Sequence, residues 1–268
     1  GGAVTMTAGR NLNVNDWIAT GNGAVGLTAT GGAATVASGR GIVSGNGAIT
    51  MRAAGDVTTG AVSGGSFEAA STGGAVRLNG LVDGSTGRVN LSAASDVVVN
   101  AAVLNGRSGA AFNATAGRDV IVNAAIDGRG GATGGAVALR AGRDVAINST
   151  IATNNGAIGA TATSGALDMA RGTALVAGNQ PITLAAGSSI RTRAISGGSL
   201  SANAGGGAVN IEGVIDGNTG PVELRAGGDV NINDVVLSPR SGSGFSASAG
   251  GSVNVNARID GTSGVPGG

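Results

Sequence analysis

The sequence predicts an all-β chain wound as a right-handed parallel β-helix, a β-solenoid of about twelve coils with 19–25 residues each. Three observations predict it. Units of that length recur along the chain. Apolar residues inside each unit alternate at period two. The same turn residues come back at the same place in unit after unit.

The recurrence is visible by eye. Gly135–Asn155 reads GAVALRAGRDVAINSTIATNN, Gly2–Asn22 reads GAVTMTAGRNLNVNDWIATGN, and Pro221–Gly242 reads PVELRAGGDVNINDVVLSPRSG. Equivalent turns place unit starts at residues 2, 23, 47, 66, 88, 110, 135, 156, 180, 199, 221 and 243. A second period lies above the first, because the chain matches itself when shifted by 133 residues. Segment 66–87 then falls on 199–220 with 11 of 22 positions identical. We therefore expect two six-coil super-repeats, 1–134 and 135–268, in one continuous solenoid that is a fragment of a longer array.

Within a unit, Val137 and Leu139 alternate with small or polar residues, Gly142-Arg143 breaks the run, Val145 and Ile147 alternate again, and Ile151 marks a third apolar point. Short strands broken by Gly, Asn and Asp fit this pattern. Strong helix formers are scarce, with no Lys, three Glu and one Gln. Asp-Gly and Asn-Gly pairs recur at residues 22, 46, 83, 127, 155, 216 and 260, where they are expected to supply the positive φ of tight corners. One unit cannot bury its own apolar side chains, but stacked units can. Parallel coils at about 4.8 Å each would span roughly 55–60 Å. A propeller blade needs about 40–50 residues, and collagen needs Gly at every third position, so neither fits.

Asn15, Asn100, Asn123, Asn148, Asn233 and Asn256 share one position, just after the second strand. They are read as an amide ladder running from coil to coil, with simple turn formation as the competing role. Arg10, Arg118 and Arg143 share a position beside the repeated acids Asp96, Asp119, Asp144 and Asp229, which suggests a solvated charge stripe and a corner role for the acids. Trp17 is the single Trp; its counterpart one super-repeat on is Thr150, so it should face outward, either as a tolerated surface substitution or as a surface contact that stacks on a sugar or docks into a neighbouring molecule.

Much chemistry is excluded by residue type. Without His, Cys or Lys, the chain cannot build a Ser-His-Asp or Cys-His site, a thiolate or His zinc site, a Schiff base or a P-loop. Glu68, Glu212 and Glu223 do not form a recognisable acid pair for glycoside hydrolysis. Gly227-Gly228-Asp229-Val230 lacks the second Gly-x-Asp step of a calcium β-roll, and Thr5-Met6-Thr7 and Thr161-Ala162-Thr163 do not recur as an ice-binding array. A net charge of +1 argues against nucleic acid or a membrane surface, and no long apolar run suggests membrane insertion. We expect no enzyme, no catalytic, metal or cofactor residues, and no cofactor.

Units of the form AGRDVxVNAxI, as in Ala116–Ile126 and Ala141–Ile151, resemble the repeat regions of filamentous haemagglutinin-like exoproteins of the two-partner secretion route. The resemblance covers the whole chain, but it rests on low-complexity repeats. It implies a β-helical shaft of a large surface adhesin, outside a Gram-negative cell, serving attachment or biofilm cohesion. Partners would be other copies of itself, or glycans and proteins of a cell surface, met through regions outside this segment. The family's amino-terminal secretion domain is not visible in these residues. A self-assembling extracellular fibre or sheath subunit is the alternative.

Overall fold

The computed structural model describes residues 1–83, 86–104, 109, 111–130, 134–216, 219–237 and 244–261. Gly84 and Gly217, from two of the Asp-Gly pairs, lie outside these. Every regular element among the described residues is a strand. Two parallel sheets of twelve strands run the length of the chain, each strand pairing with its equivalent one coil away. The third side comprises shorter sheets of three, five and two strands. Single bridges at Val82 and Ile215 connect them into one continuous line. The molecule is a three-sided parallel β-solenoid. Its eleven coil-to-coil steps correspond to about 53 Å of length.

One coil shows why these residues make these strands. Val137–Ala141 turns Val137, Leu139 and Ala141 inward and Ala138 and Arg140 outward. Val145–Ile147 turns Val145 and Ile147 inward. The third strand, Ile151–Thr153, adds Ile151. The period-two pattern of the sequence is therefore the inside-outside alternation of each strand.

Register turns the repeats into columns. In the first sheet, Phe67, Val89, Phe112, Val137 and Ile158 lie one above another. The neighbouring column holds Ala69, Leu91, Ala114, Leu139 and Ala160. All three Phe face an Ala two residues on: Phe67 with Ala69, Phe112 with Ala114, and Phe245 with Ala247. Phe67 and Phe112 are fully buried. A coil of fixed perimeter encloses a fixed volume, so a large ring in one column needs a small partner in the next.

The corners differ from expectation in one respect. Among the described Asx-Gly pairs only Asn155 has positive φ, at 60°. The glycines at 23, 47 and 156 serve close approach: a Cβ on each would lie 2.1, 2.5 and 2.2 Å from a carbonyl oxygen of the preceding coil. Asp127-Gly128 is no turn at all, because it closes the strand Ile126–Gly128. Glycine is selected at these places by stacking more than by backbone angle. Two hydroxyls run against the apolar rule: Thr59 and Thr192, 133 residues apart, are buried with no hydrogen-bond partner for Oγ1 among the described residues.

Volume pairing between the two columns is directly testable. Phe112→Val alone leaves a cavity and should cost about 1–3 kcal/mol. Ala114→Leu alone overpacks and should cost about 1–3 kcal/mol. The double variant copies the Val137/Leu139 coil above it and should recover most of that loss in urea denaturation. Additive losses would refute the compensation.

Candidate functional site

Three sets of outward-facing side chains stand out on this scaffold. The first is the amide ladder. Asn100 Nδ2 donates to Asn79 Oδ1 at 2.9 Å, Asn123 to Asn100 at 2.9 Å, and Asn148 to Asn123 at 2.9 Å. Asn256 donates to Asn233 at 2.8 Å. Asn100 and Asn123, in the middle of the run, each accept on the oxygen from the coil above and donate from the nitrogen to the coil below, which uses both ends of the group. Asn15 stands apart from this chain of contacts. The residue above it is Ala37, whose amide continues the backbone ladder to Val14, so no side-chain amide is offered there. Ala170 likewise follows Asn148.

The sequence reading missed Asn79, which precedes Gly80 and looks like a turn former. Its signal was the register position directly after Leu78. It also missed two further stacks on the strands themselves. Asn113 donates to Asn90 at 2.8 Å, and Asn254, Asn231 and Asn210 form a run at 2.8 Å per step.

The second set occupies the corner between the first two sheets. Asp56, Asp144 and Asp229 each accept the backbone N–H of the equivalent residue on the next coil through Oδ1, at 2.8, 2.8 and 2.7 Å. Asn11 does the same for Ala33 at 3.0 Å. Asp96 and Asp119 accept similarly, at 3.2 Å each. Both also accept two hydrogen bonds from an Arg one coil up: Arg118 onto Asp96, and Arg143 onto Asp119. Arg143 also pairs with Asp144 at 2.9 Å. The hydrogen bond from Arg118 holds the Asp96 carboxyl below the usual carboxylate range, against the opposing effect of its partial burial. Arg129 does the same for Asp127 on the third side. These acids are committed to the backbone and to neighbouring guanidinium groups.

The third set is a notch on the third side. Trp17, Gly41, Ala61 and Leu81 occupy one outward position on four successive coils. Two tall side chains thus bracket two small ones. Trp17 is 49% exposed and Leu81 43%. The space between them measures about 160 Å³, with Val43, Ser63 and Asp83 among its lining residues. The indole is seated closely on Gly41, since a Cβ there would lie 2.7 Å from Trp17 Cζ3. Asp16 accepts the Trp17 backbone N–H at 2.9 Å and faces Arg40 Nε at 3.6 Å.

No group of three or more His, Cys, Asp or Glu that could hold a metal ion occurs among the described residues. No helix of the described residues is long and apolar enough to cross a membrane. Comparison with protein-family models, with curated proteins and with solved structures finds no match for this chain.

Two outcomes follow from the polar stacks. Asn100→Ala removes one acceptor and one donor from the middle of a ladder. It should cost about 1 kcal/mol in chemical denaturation, clearly more than Asn15→Ala, and equal effects would argue against a ladder contribution. For Asp96 and Asp127 the sign is set by a folded-state pKa lowered by their Arg partners. Their stabilisation is complete above the ordinary carboxylate value of about 3.9, and is lost as pH falls through the lower folded value. The melting temperature should therefore fall below about pH 4, and Arg118→Gln should shrink that fall.

Proposed function

We propose that this chain is a rigid spacer, the β-helical shaft of a large extracellular adhesin of the filamentous haemagglutinin-like kind, acting in attachment or biofilm cohesion. The observation that carries the reading is the unbroken stack. All three sides stay in register across every coil, and apolar columns fill the interior throughout. A rod tied by backbone hydrogen bonds at each step resists bending and extension without disulfides, which suits a shaft that projects another part of the molecule. The outward positions are mostly short polar or small side chains, and the corner acids are committed to structure. The AGRDVxVNAxI units supply the resemblance to those exoproteins, with an outer-surface location and the same secretion route following from it.

Electron microscopy of the full-length product on its native cells tests this. The shaft reading expects thin single rods of fixed length, anchored at one end. Their length should shorten by about 29 Å when one six-coil super-repeat is deleted. Filaments or bundles of indefinite length would replace the shaft with a self-assembling fibre.

A further inference from the structure

The two super-repeats provide a comparison within one chain. At the register positions of Asp16, Trp17, Arg40 and Gly41, the second super-repeat has Ser149, Thr150, Thr173 and Ala174. All four residues change, while the far wall is kept as Leu81 or Val214 and the acid as Asp83 or Asp216. The change is internally consistent. A Cβ at residue 41 would lie 2.5 Å from the Ala61 carbonyl oxygen and 2.7 Å from Trp17 Cζ3, so glycine there admits both the next coil and the indole. Asp16 then holds the Trp17 backbone N–H and faces Arg40. Trp17 is a seated platform with charged neighbours, unlike a tolerated surface replacement.

We propose that the notch between Trp17 and Leu81 is a binding subsite for one neutral pyranose ring of a glycan. The indole offers a π face, and the axial C–H face of a pyranose is the apolar, weakly electropositive surface that stacks on it. Ile42, Val43, Ala61 and Val62 make the lining mostly apolar, with Ser63 beside them, so it favours the same face of the ring. The Asp83 carboxylate lines the notch, and the Asp16–Arg40 pair lies beside Trp17 but outside the lining. A ring hydroxyl can donate to the Asp83 carboxylate. An aliphatic side chain from a protein partner would cover the apolar lining but bring no hydroxyl to replace the water it displaces from the Asp83 carboxylate, which is unfavourable. The lining carries the Asp83 carboxylate and no cation, so an anionic sugar is disfavoured relative to a neutral one. The inference does not rest on the shaft reading, which the microscopy tests separately.

The chain has one Trp and no Tyr, so intrinsic emission reports on this notch alone. The experiment titrates the whole chain with maltotriose, cellotriose, mannotriose and lactose, and with a glucuronate oligosaccharide for comparison. The expected result is a saturable blue shift with at least one neutral probe, and a weaker response or none with the glucuronate. Ala61→Gln, which fills the notch, should weaken that binding at least tenfold with an unchanged circular dichroism spectrum. Trp17→Thr, the chain's own counterpart, should abolish the heat of binding in calorimetry. The proposal is overturned if no neutral probe shifts the emission at about 10 mM, ten times a millimolar Kd. It is also overturned if both variants bind as the parent does. An emission change that follows protein concentration without sugar would overturn it in favour of a second copy in the notch.

Discussion

A coil of about twenty residues encloses too little volume to bury its own side chains, so each coil is stable only between two others. In-register stacking of equivalent residues is the constraint behind the rest of the structure. It puts Phe112 between Val89 and Val137, and it makes the size of each inward residue depend on its neighbour in the next column. It draws the corners so close that a glycine at 23 or 156 has a carbonyl oxygen of the preceding coil where a Cβ would be. The same constraint explains a core of Val, Ile, Leu and Ala, with larger rings admitted only opposite alanine.

Stacking also sets the polar chemistry of the surface. Equivalent side chains on successive coils stand one strand spacing apart, about 4.8 Å, which suits an amide that donates downward and accepts from above. It equally suits a carboxylate that accepts the next coil's N–H. Like charges would repel at that spacing, and the Arg118–Asp96 and Arg143–Asp119 pairs avoid this by crossing from one coil to the next. The result is a side surface in which most functional groups are turned toward neighbouring coils. The Trp17 notch is one place, among the described residues, where tall side chains stand apart and leave space between them.

The sequence carried the architecture clearly, because the 19–25-residue unit, the period-two alternation and the recurring Asn all express one register. It was less informative about which glycines were needed for backbone angle and which for close approach, since both choose the same residue. Asn79 escaped notice because Asn-Gly reads as a turn. Asn210, Asn231 and Asn254 escaped because mid-strand polar residues look like ordinary solvent-facing positions. The buried hydroxyls of Thr59 and Thr192 were invisible, as Thr has the shape of Val and fits the same column. The notch was half legible: Trp17 stood out as the single Trp, but Gly41, Ala61 and Leu81 gain meaning only when coils 20 or more residues apart are placed side by side.

Register is the central claim, and the absence of native Cys makes it directly measurable. Thr183 and Ser201 are partners on adjacent coils of the first sheet. Paired strands hold such residues about 4.8 Å apart, within disulfide range. The measurement is the rate of disulfide formation under mild oxidation in Thr183→Cys/Ser201→Cys, against the off-register pair Thr183→Cys/Asn203→Cys. The account predicts rapid, near-complete closure for the first pair and little for the second. Equal closure, or preference for the off-register pair, would contradict it.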